Sequence, residues 1–268
     1  MKTLRVAALL GGLVGLMGGA LAQPKPLAPV QLLLVGDSTL ASHNGYGDAL
    51  CARFAPALRC LNLAKNGRST LSYRAEGSWQ AVLDQIAQSG NFTQTYVLIE
   101  FGHNDQPGKP GRSTDLATEF PANLQRYIAD VKKLGAQPIL ATPLTRRNFK
   151  DGQLVPDLAQ WGEATRRVAA QEGVPLVDLL AASSSAVQTM GSAQADTLAV
   201  EPAPPVTTPP GSTPESLQTE VVSNRKSAFD HTHVGPKGAD FFAQIALPLL
   251  VHAVPDLAAY QSAERQKP

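Results

Sequence analysis

The stretch Asp230-His231-Thr232-His233 places one carboxylate and two imidazoles within four positions of a chain that has only five histidines in 268 residues. A carboxylate and an imidazole so close in sequence suit a general base with its orienting partner, and from the residues alone either histidine could be that base. Three other short stretches offer what such a base would serve: Ser38 in "GDST", Gly67 in "KNGRS" and Asn104 in "GHND". Together they supply a hydroxyl nucleophile, a base, an orienting carboxylate and donors for an oxyanion, which are the parts of an acyl-transfer site. Taken singly each has a plainer reading: serine as a helix cap, asparagine as a turn residue, glycine as a backbone position with positive φ. Where the chain puts them decides.

Five short apolar runs read as buried strands: Val30 to Gly36, Leu58 to Ala64, Thr95 to Gly102, Ala136 to Pro143 and Val174 to Asp178. Segments of helical periodicity alternate with them, at Tyr46 to Phe54, Ser78 to Gln88, Leu116 to Leu134 and Leu158 to Gln171, and a further helix is expected over Pro236 to Val251. Strand alternating with helix predicts an α/β fold, a parallel sheet covered on both faces. Ligands bind such sheets at the carboxyl ends of the strands. "GDST", "KNGRS" and "GHND" directly follow the first three strands, and "DHTH" lies in the last loop. Four such elements, each at a loop on the binding edge, point to a single site.

From Ala181 to Ser227 the composition turns to Ser, Thr, Ala and Pro, with six prolines between Val200 and Pro214. This predicts an exposed, mobile insertion at about 181–227 that contributes little to the core of one domain. No internal repeat is found. At the N-terminus, Lys2 and Arg5 precede a 17-residue uncharged run, Val6 to Ala22, that contains five glycines and ends Ala20-Leu21-Ala22. That pattern predicts a signal peptide over residues 1–22, cut before Gln23, and a single domain over 23–268 in a secreted or periplasmic protein. Without Lys2 and Arg5 the chain has 21 basic residues against 22 acidic ones, a formal charge of −1 that gives no electrostatic case for nucleic acid. In an exported chain Cys51 and Cys60 are expected to pair as a disulfide. Two cysteines without a CxxC pair do not suggest a zinc or redox centre, so no metal and no cofactor is expected, nor a membrane partner after cleavage.

With these four blocks the chain resembles the SGNH (GDSL-type) hydrolases, from about Gln31 to Leu250 apart from the insertion. Within that superfamily it is most similar to the rhamnogalacturonan acetylesterases, on the strength of "GDST", "NGRSTLSYRAEGSW", "VLIEFGHNDQP" and "DHTH". The resemblance implies a three-layer αβα sandwich, flavodoxin-like, with a five-stranded parallel sheet. It also implies Ser38 as nucleophile, His233 as base and Asp230 as its orienting acid, with Ser38, Gly67 and Asn104 forming the oxyanion hole. Turn residues i and i+3 lie within about 7 Å, so the spacing of Asp230 and His233 agrees. His231 is left as a wall or substrate contact, and Arg68 and Tyr73 become candidate substrate contacts, as do Tyr46 and Trp79, although core packing explains Trp79 at least as well. Asp37 and Asp105 are expected to fix the turns after the first and third strands, while His43 and His252 have no expected role. Three functions stay open: a carbohydrate acetylesterase acting on acetylated polysaccharide or oligosaccharide, a broad short-acyl esterase or thioesterase of the same family, and a sugar-binding module without catalysis. A monomer is expected.

Overall fold

The computed structural model describes residues 26–201 and 229–262. The expected signal peptide, residues 1–22, lies outside the described residues, as does the part of the expected insertion from 202 to 227. All five apolar runs form strands of one parallel sheet. They are β1 (Val30–Gly36), β2 (Leu58–Asn62), β3 (Gln94–Glu100), β4 (Gln137–Ala141) and the two-residue β7 (Leu176–Val177). Between β4 and β7 the chain adds a small antiparallel hairpin, β5 (Phe149–Lys150) with β6 (Gln153–Leu154). The sheet order β2-β1-β3-β4-β7 is the flavodoxin order once the hairpin is set aside.

Central strands buried on both faces must be apolar at every position. Leu32, Leu33, Leu34 and Val35 of β1 are all fully buried, so truncating any one of the leucines to alanine would cost about 2 to 5 kcal/mol. Leu32 and Leu34 pack with Tyr46, Leu50, Phe242 and Leu250, whereas Leu33 and Val35 pack with Trp79, Val82, Leu124, Ile128 and Trp161. The first set belongs to a layer of α1 (Gly47–Cys51), α6 (Leu179–Met190), α7 (Ser192–Asp196) and α8 (Pro236–Ala253). The second belongs to α3 (Ser78–Ala87), α4 (Glu119–Lys133) and α5 (Ala159–Glu172), with the short α2 (Ser72–Ala75) ahead of them. This is the expected three-layer αβα sandwich. No described helix is long and apolar enough to cross a membrane.

Two local differences have physical causes. The expected helix from Leu116 begins only at Glu119, because the Asp115 carboxylate accepts from the Ala117 and Thr118 amides at 3.0 and 2.8 Å while Glu119 accepts from the Asp115 amide at 2.7 Å. This reciprocal capping holds 116–118 in a turn. The second difference is a correction: residues 181–199, expected to stand outside the core, form α6 and α7. Val187, Ala195 and Leu198 are sparse but all face the core. The small residues permit close approach. A Cβ on Gly238 of α8 would lie 2.3 Å from the Leu198 carbonyl, so glycine there lets α8 pack against this segment.

Cys51 and Cys60 are bonded, with Cα atoms 5.3 Å apart, joining the end of α1 to β2. The closing 3-10 turn, Pro255–Tyr260, returns to the start of the domain, where the Tyr260 hydroxyl donates to the Ala28 carbonyl at 2.8 Å.

Candidate active site

Four loops meet at the carboxyl edge of the sheet, and a network of buried polar groups fixes the turn after β1. Ser38 is 5 % exposed. Beside it Asp37 accepts from the Thr39 amide at 2.9 Å and from the Thr39 hydroxyl at 2.8 Å, and that hydroxyl also lies 2.9 Å from Glu100, the last residue of β3. One hydroxyl proton cannot serve two carboxylates. Glu100 resolves the conflict: burial, and then the Asp37 charge, push its pKa up to about 7, so a neutral carboxyl can donate in its turn. Tyr46 and the Leu144 amide also donate to Glu100. Burial works to raise Asp37, but the His103 ring and the Thr39 bonds outweigh it and hold the acid below the ordinary value. His103 approaches Asp37 at 3.4 Å without an aligned hydrogen bond.

The loop after β2 carries Gly67 at φ 74°, a conformation that favours glycine. Asp105 does more than fix its own turn, because it reaches across to this loop. Its carboxylate accepts from the Thr70 amide at 3.1 Å and from the Thr70 and Thr114 hydroxyls at 2.5 and 3.1 Å. Burial pushes Asp105 up to about 7 despite these donors. The Asn104 amide donates to the Arg68 carbonyl at 3.0 Å, and Arg112 lies 3.5 Å from its oxygen. This orients the amide and leaves one of its two N–H groups uncommitted by that bond.

In the last loop Asp230 and His233 meet as expected: Oδ2 lies 2.6 Å from Nδ1. The other carboxylate oxygen accepts from the Thr232 and His233 amides at 2.8 and 3.0 Å. Burial would raise this acid, and the His233 amide, the His233 ring and the Thr232 amide together lower it, so it stays an anion. An imidazole whose Nδ1 proton is held by a carboxylate presents Nε2 as a base. His231 is partnered differently, with Nδ1 3.5 Å from the buried Asp196 and its ring edge-on to Phe229. The Val234 amide donates to the Asn44 carbonyl at 3.0 Å, and this ties the loop to the segment that follows Ser38.

Two candidate substrate contacts, Tyr73 and Tyr46, are corrected, and for Trp79 the core reading is the one that holds. Tyr73 is 1 % exposed, with its hydroxyl on the Leu63 carbonyl at 2.7 Å and its ring edge-on to Phe101, so it is a core residue. Tyr46 is fully buried on Glu100, and Trp79 is buried with its indole N–H on Asp130 at 2.9 Å. Arg68 does stand at the surface, where its guanidinium is paired with Glu76 at 2.6 Å. His43 and His252 are exposed. Sequence reasoning passed over Glu100, His103 and Arg147. Arg147 had a usable signal, since it follows β4 at the same sheet edge as the other loops.

Comparisons with known proteins place the chain in a family. The GDSL-like Lipase/Acylhydrolase family matches residues 34–215. The chain is 30% identical to "Rhamnogalacturonan acetylesterase RhgT" of Bacillus subtilis over 84% of its own length and 95% of that protein. It is 32% identical to "Probable rhamnogalacturonan acetylesterase YesY" of the same organism, over 56% of this chain and 70% of that one. Among solved structures, protein YXIM of Bacillus subtilis superposes with a TM-score of 0.61 at 21% identity, covering 88% of this chain and 59% of the other. That likeness concerns the fold.

Proposed function

The chain belongs to the GDSL-like lipase/acylhydrolase family and is a carboxylic ester hydrolase, and we propose that it removes acetyl groups from carbohydrate of the pectin or rhamnogalacturonan kind. The 2.6 Å Asp230–His233 pair carries the chemical part of this reading. The substrate class is supported by the names of the two Bacillus subtilis relatives.

In this reading Ser38 attacks the ester carbonyl and passes its proton to His233, whose imidazolium is stabilised by Asp230. The Ser38 and Gly67 amides and the Asn104 side chain receive the developing oxyanion. Collapse of the tetrahedral intermediate breaks the bond to the sugar oxygen, which takes the proton from His233 and leaves as a hydroxyl, and water then releases acetate from Ser38 by the same steps. Arg68 at the rim is the remaining candidate for contact with an acidic sugar, and His231 for the wall. Export by cleavage before Gln23 accompanies this reading, as does a Pro-rich excursion within one domain.

A fluorophosphonate probe that labels the wild type and not Ser38→Ala supports the nucleophile. A panel of acetylated sugars against longer acyl esters of simple alcohols tests the substrate. Higher kcat/KM on sugar acetates is expected, and higher kcat/KM on the longer acyl esters would favour the broad esterase instead.

A further inference from the structure

The Asp230 to His233 turn is neither helix nor strand, yet an aligned triad needs its imidazole held to within a fraction of an ångström. Its amides are settled internally, since Thr232 and His233 both donate to Asp230. Its carbonyls turn the other way, and one residue takes all four. The Arg147 guanidinium donates to Asp230 and His233 at 2.9 Å each and to Thr232 at 3.3 Å, and the Arg147 backbone amide donates to His231 at 2.8 Å.

Arg147 is fully buried, the bulkiest side chain to be so among the described residues. It makes no salt bridge among the described residues, and burial lowers its pKa to about 10 while the charges of Asp230 and Asp196 work to raise it. Burying a guanidinium merely to bridge a surface turn is unfavourable. A planar fork that binds several carbonyls at once fixes a backbone in a way that a lysine or a neutral amide cannot. Arg146, its neighbour, holds the same turn from outside through the Thr232 hydroxyl at 3.3 Å and is anchored in turn by Asp157. The loop after β4 is therefore built around this turn.

We propose that Arg147 is a positioning residue for the Asp230–His233 pair, setting the imidazole against Ser38 without touching substrate. This rests on the triad reading above. Its role is to hold the backbone of the turn, so its loss spreads the orientations of the His233 ring and leaves the substrate contacts in place.

The test compares Arg147→Met and Arg147→Lys with the wild type on one soluble acetyl ester, together with the low-field proton resonance of His233 Nδ1–H and the rate of fluorophosphonate labelling. For Arg147→Met, kcat is expected to fall about 10²-fold with KM within about threefold, the resonance to broaden or vanish, and labelling to slow in parallel. Arg147→Lys, which keeps the charge and reaches fewer carbonyls, is expected to regain about tenfold of that loss. A folded Arg147→Met with kcat and resonance like the wild type would overturn the proposal. Should Arg147→Met fail to fold, Arg147→Lys decides: about a tenfold loss in kcat at constant KM supports the role, and wild-type behaviour rejects it. Failure of the triad reading shows separately, as wild-type protein that the probe does not label and a Ser38→Ala variant that stays active.

Discussion

Val234 and Asn44 are joined by a 3.0 Å backbone hydrogen bond. The residue after His233 is thereby fixed to the segment after Ser38, so this backbone bond, together with the Arg147 side chain, sets the proposed base relative to the proposed nucleophile. The two histidines of the last loop then differ through their partners: His233 has Asp230 at 2.6 Å, and His231 has Asp196 at 3.5 Å.

The sharpest consequence concerns these histidines. His233→Ala is expected to lower kcat by roughly 10³-fold or more with the fold intact, and Asp230→Asn to act in the same sense by mis-setting the tautomer. His231→Ala is expected to cost less than about tenfold, mostly in KM. Steady-state kinetics with circular dichroism on each variant decides. A dead His231→Ala beside a mild His233→Ala would reverse the assignment.

Glu100 makes stability depend on pH. Its pKa is raised from 4.5 to about 7, so the folded chain retains a proton that the unfolded chain has released. The resulting stabilisation is complete below about pH 4.5 and is lost as pH rises through 7. Glu100→Gln cannot release that proton, so its Tm relative to wild type should improve from pH 5 to about pH 7 and then level off, by roughly 2 to 4 kcal/mol in unfolding free energy. Parallel Tm curves for the two proteins would contradict the assignment.

Tyr73→Phe separates a core residue from a sugar platform. It leaves the Leu63 carbonyl without its partner, for a cost of about 1 kcal/mol in urea unfolding, and KM on a sugar acetate should not change. A tenfold rise in KM at unaltered stability would return Tyr73 to the substrate.

The Cys51–Cys60 bond closes a short loop between α1 and β2, and its reduction is expected to cost about 2 to 3 kcal/mol. Denatured, unreduced protein should present no free thiol to a colorimetric reagent. Two thiols per chain would rule the bond out.

The strands and their order of appearance were readable because a parallel sheet demands uninterrupted apolar runs, and Leu32 to Val35 show one plainly. The pairing of Asp230 with His233 was readable from their spacing together with the family resemblance. Tyr73 was not, since an aromatic just beyond a site motif fits a sugar face and a core equally well until its neighbours, here Phe101 and the Leu63 carbonyl, are known. Arg147 offered its position after β4 as a signal, but a pair of arginines reads as solvated charge, and its enclosure shows only in the tertiary fold. Residues 181–199 were undervalued for a similar reason: in α6 and α7, a few apolar positions such as Val187 and Leu198 suffice when small neighbours let α8 come close.

The bonds that link the two ends of the domain have a consequence for the order of biosynthesis. Arg53 meets Asp240 across 187 positions of sequence, and Tyr260 meets Ala28 across 232. Contacts so distant along the chain close late, since their loop entropy must be overcome first. A nascent chain that has made its β1 to β4 segments already carries Ser38, Gly67 and Asn104 but lacks His233, the proposed base. On the proposed triad, a ribosome-stalled series of lengthening chains is expected to show labelling of Ser38 switching on only after α8 has emerged and docked.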